Sequence, residues 1–366
     1  MNVLVAGAGP AGLYFSYLAK RQHPDWRIRV VEQNPRDATF GFGIVFSDRA
    51  LEFLQADDPA TYELITPELE AWVDLAVVHR GVRTVIDGIG FNAIGRLHLL
   101  GLMQRQLASV GITPEYEGPL GGPAEVDGYD LVVGADGANS VVRRTADFGT
   151  RQTHCSNTFV WYGTRKPFAM LTQTFVSNRH GTFNAHHYRH APDMSTFVAE
   201  CDAATWERAG FAAMDERETM EYLQRVFAET LEGEPLVSNR SIWRNFPNVR
   251  NERWTVGNKV LIGDALRTAH FSIGSGTRLA LEDAIALNKA LREHADLREA
   301  LAAFEAARRP IVEKLVAAAD ASGAWYDRFP EHMHLSPRDF AWSYIQRSGR
   351  VDPRRLARTS PRFAGT

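Results

Sequence analysis

Residues 2–32 read NVLVAGAGPAGLYFSYLAKRQHPDWRIRVVE. The apolar run from Asn2 to Ala6 passes straight into glycines, as does a strand buried on both faces of a parallel sheet. A helix is expected from about Pro10 to Arg21. Arg27 to Glu32 then reads as a second strand, completing a β-α-β unit of the length that a right-handed crossover needs. The turn between strand and helix is Gly7-Ala8-Gly9-Pro10-Ala11-Gly12. Gly7 permits the tight turn, Gly9 lets the backbone approach a pyrophosphate, and Gly12 allows helix and strand to pack closely. Glu32 closes the second strand about 20 residues beyond the last glycine, where a carboxylate can accept hydrogen bonds from an adenosine ribose. A bare glycine fingerprint is weak, but the strand, the helix and the acid together point to dinucleotide binding.

Outward from this unit, Tyr129 to Ala135 (YDLVVGA) and Lys259 to Gly263 (KVLIG) are two more buried strands. Each runs into glycine and aspartate, which places ligand-binding loops at the carboxyl edge of the sheet. Between them Thr158 to Thr164, Thr172 to Ser177, Gly181 to Tyr188 and Ser195 to Glu200 are rich in β-branched and aromatic residues and are divided by turn formers, the pattern of a mostly antiparallel sheet. Asp215 to Leu231 reads as an amphipathic helix with Met220, Leu223, Val226, Phe227 and Leu231 on one stripe. Arg278 to Trp325 is helical, with a bend or interruption expected at Pro310. With no internal repeat or long linker, the expected fold is mixed α/β with interleaved domains. A Rossmann-like dinucleotide-binding domain is expected over 1–75, 90–150 and 250–295, a substrate-binding β-sheet domain over 76–89 and 151–249, and C-terminal helices with an Arg-rich tail over 296–366.

Composition narrows the partners. The 366 residues carry a formal net charge of −3 with 23% charged side chains, so no global field favours nucleic acid or an anionic membrane. Cys155 and Cys201 stand far apart, a usage that fits a reducing compartment better than a disulfide framework. The N-terminus lacks a basic leader, and no stretch approaches the roughly 20 apolar residues of a membrane span. Cytoplasmic placement is therefore expected. No CxxC suggests a metal, and none is expected.

The segment Asp130 to Arg144, DLVVGADGANSVVRR, and the segment Gly263 to Ala284, GDALRTAHFSIGSGTRLALEDA, resemble diagnostic motifs of flavoprotein aromatic hydroxylases of the para-hydroxybenzoate hydroxylase type. Asp136, Gly137, Ser140 and Arg143 match the DG motif, and Gly263 and Asp264 match the GD motif. The resemblance implies bound FAD, with Asp264 on its ribityl chain and Arg96, which opens a helix over Leu97 to Ser109, reaching toward the pyrophosphate. It also implies transient NADPH or NADH without a second nucleotide fold, O₂ as co-substrate, and ring hydroxylation through a flavin hydroperoxide. Physically, Gly274-Ser275-Gly276 opens a helix whose free N–H groups favour the electron-rich end of a reduced flavin.

The likeness extends from residue 2 to about 350. Phe40-Gly41-Phe42-Gly43-Ile44-Val45-Phe46-Ser47-Asp48, His270-Phe271-Ser272-Ile273-Gly274-Ser275-Gly276-Thr277 and His332-Met333-His334-Leu335 are similar to salicylyl-CoA 5-hydroxylases and 2-aminobenzoyl-CoA monooxygenases. Trp161-Tyr162-Gly163-Thr164 and Met194-Ser195-Thr196-Phe197 are similar to the violacein-pathway hydroxylase of a tryptophan derivative. Two departures touch the pocket beside the ring: Leu266-Arg267 replaces the usual Ala-His, and Phe271 stands where the wider superfamily has proline.

For acid-base groups, alternation puts His186 and Tyr188 on one strand face, able to orient a phenol or aniline and accept its proton. His270, ahead of the flavin loop, is the other candidate. The resemblance favours a small aromatic substrate linked to CoA, and Arg347, Arg350, Arg354, Arg355, Arg358 and Arg362 sit among few acids, as phosphate recognition would need. A free aromatic acid, an indole or tryptophan-derived intermediate, a flavin oxidoreductase without oxygen insertion, and a nucleotide-binding scaffold without redox activity are the alternatives. Oligomeric state is left open.

Overall fold

The computed structural model describes residues 1–39, 41–47 and 50–365; Phe40 and Asp48, at the ends of the glycine-phenylalanine run quoted above, lie outside the described residues. Val3, Leu4 and Val5 are buried on both faces of the strand Asn2–Ala6, and that strand is the centre of a five-stranded sheet. It pairs in parallel with Arg27–Val31 on one side and Leu131–Gly134 on the other. Lys259–Leu261 extends the parallel set and Thr255–Val256 turns back antiparallel at the edge. Helices Pro10–Gln22 and Gly276–Glu293 pack on each other, with Leu13, Leu279, Ala280 and Ala284 buried in the core they share with this sheet.

Thr150–Thr164 is a 15-residue strand of a second sheet, and Arg244–Asn251 runs antiparallel beside it, from Thr150↔Asn251 onward. The second sheet has eight strands. Met194–Cys201, Gly181–Ala191 and Thr172–Asn178 follow as antiparallel neighbours, and the hairpin Leu75–His79 and Val82–Ile86 completes the edge. The join between Thr172–Asn178 and Leu75–His79 is parallel, and it brings into this sheet a segment that lies in sequence between two of the nucleotide strands, Arg27–Val31 and Leu131–Gly134.

One face of the second sheet packs Phe183, Phe197 and Cys201 against Phe211, Leu223 and Phe227. The helix supplying Leu223 runs Glu216–Val226, is opened by a capping box between Asp215 and Glu218, and yields at Phe227 to a short turn, Ala228–Leu231. The opposite face packs Phe175 against Trp325, Phe329, Phe340 and Tyr344 of the C-terminal helices. A small third sheet, Gly43–Ser47, Phe91–Gly95 and Glu70–Trp72, bridges the two large ones. Its strands are short and lack strict alternation, and sequence periodicity does not reveal them.

One expectation is corrected. The helical region is not interrupted at Pro310: a single helix runs Leu297–Asp327 through it, and the break falls earlier, between Glu293 and Leu297, where Asp296 caps the new helix. Pro310 is exposed, so the carbonyl that loses its N–H partner can turn to water instead of breaking the helix. No described helix is long and apolar enough to cross a membrane.

Candidate active site

The carboxyl ends of the parallel strands converge on a cleft of about 350 Å³ lined by Gly7, Gly9, Glu32, Arg96, Asp136 and Arg244, among others. Gly7 holds φ +99°, and a Cβ there would stand 2.3 Å from the Ala135 carbonyl oxygen; a Cβ on Gly12 would stand 2.0 Å from the carbonyl oxygen of Gly7. Both positions therefore need glycine for packing. Gly9 has nothing within 4 Å of its would-be Cβ, so its constraint is open space for a ligand and not the protein's own contacts. Pro10 is the first residue of the helix and Ala11 is buried. Ala11 Cβ lies 3.1 Å from the position a Cβ on Gly263 would take, so the first glycine turn and the GD segment touch.

Glu32 is half-buried beside the turn. One carboxylate oxygen accepts from Ala8 N at 2.9 Å and the other from Asn34 N at 2.9 Å and Asn34 Nδ2 at 2.6 Å. An ionised carboxylate has about four lone-pair sites, so acceptor capacity remains for a diol. Asp136 Oδ2 accepts from Val141 N at 2.6 Å and Val142 N at 3.3 Å, while Oδ1 is buried without a partner. Arg96 Nε is likewise buried without a partner. Burial lowers the pKa of Arg96, opposed by the negative field of Asp264 and by Tyr188. An orphaned acceptor, an orphaned donor and an open glycine around one cleft are what an adenine dinucleotide would satisfy, and the residues present fit FAD.

Arg143 links the two motifs. Ser140 Oγ caps its backbone N–H, and its Nη1 donates to the Ala265 carbonyl at 2.9 Å, across 122 residues. Beneath the GD segment, Asp283 is fully buried and accepts from Gly263 N at 3.1 Å while pairing with Arg308 at 3.1 Å. Arg267 Nη2 stands 2.8 Å from the same carboxylate, an ion pair without hydrogen-bond alignment, and its Nη1 donates to the Gly263 carbonyl at 2.8 Å. The Arg267 departure from the family pattern is thus turned inward to the support of the loop and away from the pocket. Asp264 is reached by solvent yet enclosed on most sides; burial raises its pKa while Arg267 and Arg96 pull it down.

Gly274 sits at φ +62°, with its would-be Cβ 3.0 Å from the Val45 carbonyl oxygen of the small sheet. Ser275 is buried at the N-cap and Gly276 starts the helix with nothing within 4 Å. The segment just before this loop meets the second sheet. Phe271 lies 4.9 Å from Phe159, 5.2 Å from His186 and 5.9 Å from Phe246 between ring centroids, so the residue at the usual proline position is an aromatic wall.

Tyr188 and His186 do share a face, with His187 on the other, bonded to Thr174. Tyr188 donates to the Gly43 carbonyl at 3.0 Å, and burial pushes its pKa up. His186 Nε2 lies 3.0 Å from Glu200 Oε2, and Glu200 Oε1 accepts from Asn157 Nδ2 at 2.9 Å. Burial drives His186 down to about 3, helped by the Arg347 charge, and raises Glu200 to about 7 against the pull of His270 and Asn157. Both partners are displaced toward neutrality for the same reason, loss of water. His270 Nδ1 lies 2.8 Å from Ser272 Oγ, and burial lowers its pKa to about 4. Glu200 carried no motif in the sequence. Only pairing in register, which sets Asn184 opposite Glu200 and His186 opposite Val198, brings it to His186.

A dinucleotide cleft on one sheet and a buried aromatic, titratable cluster on a second are the features of a flavin-dependent oxidoreductase. A family model described as FAD binding domain matches residues 109–319. The chain is 40% identical over 361 residues to a salicyloyl-CoA 5-hydroxylase from a Streptomyces species, covering 95% of this chain and 70% of that one. It is 37% identical to the 3-hydroxy-4-methyl-anthranilyl-[aryl-carrier protein] 5-monooxygenase of Streptosporangium sibiricum, covering 90% of each, and 34% identical to the protodeoxyviolaceinate monooxygenase of Chromobacterium violaceum, covering 96% of each. Its fold is shared with 2-methyl-3-hydroxypyridine-5-carboxylic acid oxygenase, at a TM-score of 0.74 and 18% identity over 98% of this chain and 96% of that one. The chain belongs to the FAD-dependent aromatic monooxygenases, the family its motifs indicated.

Proposed function

We propose that this enzyme hydroxylates the aromatic ring of an aryl thioester, such as salicylyl-CoA, with NADPH or NADH as transient reductant and O₂ as co-substrate. The observation that carries the reading is the cleft of Gly7, Gly9, Glu32, Arg96 and Asp136, with Arg96 Nε and Asp136 Oδ1 left without partners, together with the buried His186–Glu200 pair beside Phe271 on the second sheet. The thioester part is supported by two relatives whose names place the aromatic group on CoA or on an aryl-carrier protein. When bound, FAD supplies the redox and oxygen chemistry.

The protein residues bind, orient and keep dry. Gly7, Gly9, Pro10, Ala11 and Gly12 would receive the pyrophosphate at a helix N-terminus, with Glu32 holding the ribose and Asp136 and Arg96 lining the same cleft. Asp264 would hold the ribityl hydroxyls. The N–H groups at Ser275 and Gly276, with the helix dipole behind them, favour negative charge at the ring. Phe159, Phe246 and Phe271 exclude water on the substrate side. His186 passes the phenol or aniline proton on to Glu200, whose carboxyl holds it with a pKa of about 7 where an imidazole lowered to about 3 does not, and Tyr188 and His270 orient the ring. Two unbonded thiols, Cys155 and Cys201, support placement in a reducing cytoplasm.

The test is substrate-stimulated NADPH consumption under ¹⁸O₂, comparing salicylyl-CoA, salicylate and tryptophan-derived indoles. Label in hydroxylated salicylyl-CoA is the expected result. Unlabelled product rejects oxygen transfer, and equal turnover of salicylate rejects the thioester. The 34% identity to the violacein-pathway enzyme favours an indole intermediate as the second reading.

A further inference from the structure

Two of the tail arginines are taken up inside the fold: Arg347 donates to the Ser272 and Tyr344 carbonyls, both at 2.9 Å, and Arg362 pairs with Asp74 and Asp87. A basic group that surrounds a cavity lies elsewhere, on the face of the second sheet turned away from His186. Neighbours along a strand point to opposite faces, so His187 looks out of this far side. Its Nε2 lies 2.9 Å from Thr174 Oγ1, and its ring centroid 4.0 Å from that of Phe168. The cavity there measures about 920 Å³ and is lined by His187, Thr174, Phe168, Val78, Arg83 and Phe227, among others. Among the described residues it shares no lining with the dinucleotide cleft.

Strand register assembles this site. Arg83 stands opposite Val78, Val78 opposite Thr174, and Thr172 opposite His187. Arg83, Val78 and Thr174 therefore form one row on the far face, with His187 a step along it. Two strand spacings separate Arg83 from Thr174, roughly 10 Å, which the long arginine side chain largely covers. His187 is 2% exposed, and its Nδ1 has no hydrogen-bond partner. Burial, and after it the charge of Arg83, lowers the imidazole to about 3, so the ring is neutral. A neutral imidazole that accepts from the Thr174 hydroxyl carries its proton on Nδ1, which makes the unpartnered nitrogen a donor. Around the rim, Arg80 donates to the Met333 and His334 carbonyls, Lys166 is paired with Glu232, and Arg225 lies over the Tyr222 ring. Arg83 forms no hydrogen bond or ion pair among the described residues. One free guanidinium fork and one neutral donor beside Phe168, Phe227 and Val78 suit a single carboxylate on a flat apolar body. A phosphate dianion would carry more charge than this pair complements.

We propose that this cavity is a second binding site, for an aryl carboxylate, with the carboxylate between Arg83 and His187 Nδ1 and the ring against Phe168 and Phe227. The site stands apart from the reaction proposed above, because the sheet itself lies between it and the cluster of His186 and Phe271. Its occupation is therefore read separately from the flavin: a ligand here leaves the flavin spectrum unchanged, whereas a ligand beside the cofactor perturbs it.

The experiment titrates the oxidised holoenzyme with 4-fluorobenzoate and follows the ¹⁹F resonance together with the flavin absorbance. In the wild type a saturable bound signal should appear while the flavin band stays in place. Neutral 4-fluorobenzamide should bind about tenfold or more weakly, the size of one charge-assisted bond. Arg83→Ala should weaken the benzoate to the level of the benzamide, Arg83→Lys should restore part of the difference, and added salt should weaken the benzoate in the wild type more than in Arg83→Ala. Thr174→Val, which removes the hydroxyl that holds the His187 tautomer, should weaken it as well. Arg83 is exposed, so its substitution leaves the core packing alone, and melting temperature with FAD content verifies the fold of each variant. Absence of saturable binding to the wild type, equal affinity for acid and amide, or benzoate binding that survives Arg83→Ala each overturns the site. Saturation that tracks a shift of the flavin band places the ligand beside the cofactor and overturns it too.

Discussion

At the scale of single residues, the glycines divide into those the protein needs for itself and those its ligand needs. Gly12 cannot accept a Cβ without striking Gly7, whereas Gly9 can, because its would-be Cβ faces open space. Gly9→Val is therefore expected to fold with near-normal secondary structure and to emerge without flavin absorbance, whereas Gly12→Val is expected to lose soluble yield. Absorbance at the flavin band per mole of protein, beside circular dichroism, distinguishes them. Glu200 makes a second prediction. Its carboxyl is raised to about 7, so protonation changes across the neutral range and kcat/KM should climb through that pH as the carboxylate forms. Glu200→Gln should flatten this limb and lower the rate by about 10²-fold, a typical acid-base contribution. A limb near 7 that persists in the variant assigns it elsewhere. The stability sign is opposite: a raised folded pKa means that stability held below the ordinary carboxyl range is lost as pH rises toward 7. Glu200→Gln should remove that slope from a denaturation series.

Among elements, the long helix Leu297–Asp327 carries a proline that it tolerates and does not require. Pro310 is exposed and lacks the N–H of an interior position. The helix-interior penalty of roughly 3 kcal/mol exceeds the roughly 1 kcal/mol that proline returns by restricting the unfolded chain. Pro310→Ala should thus stabilise the protein by about 1–2 kcal/mol in urea unfolding, with unchanged FAD content. A destabilised variant would show that a local bend at this point is used in packing. The strand Gly181–Ala191 makes the complementary point. Alternation alone places His186 and Tyr188 together, but His186 acquires its partner only from the neighbouring strand Met194–Cys201.

For the molecule as a whole, FAD would contact turns from the first strand, the DG segment and the GD segment, so bound cofactor ties together parts of the chain more than 250 residues apart in sequence, from Gly7 to Asp264. Ligand that binds only the folded state stabilises it by about 2.7 kcal/mol at a hundredfold excess over Kd. Stripping FAD should lower the melting temperature by several degrees and readdition should restore it, while Gly9→Val should show no response to added FAD. Sequence by itself determined the nucleotide-binding unit, because the glycine turn, its flanking strands and Glu32 are local and their steric demands are written in adjacent residues; spaced motifs likewise fixed the family. The small bridging sheet, the inward turn of Arg267 onto Asp283 and the Glu200–His186 pair were decided by tertiary structure. Each depends on strand register or on the docking of helices far apart in the chain, and a contact made through space leaves no periodic trace along the sequence.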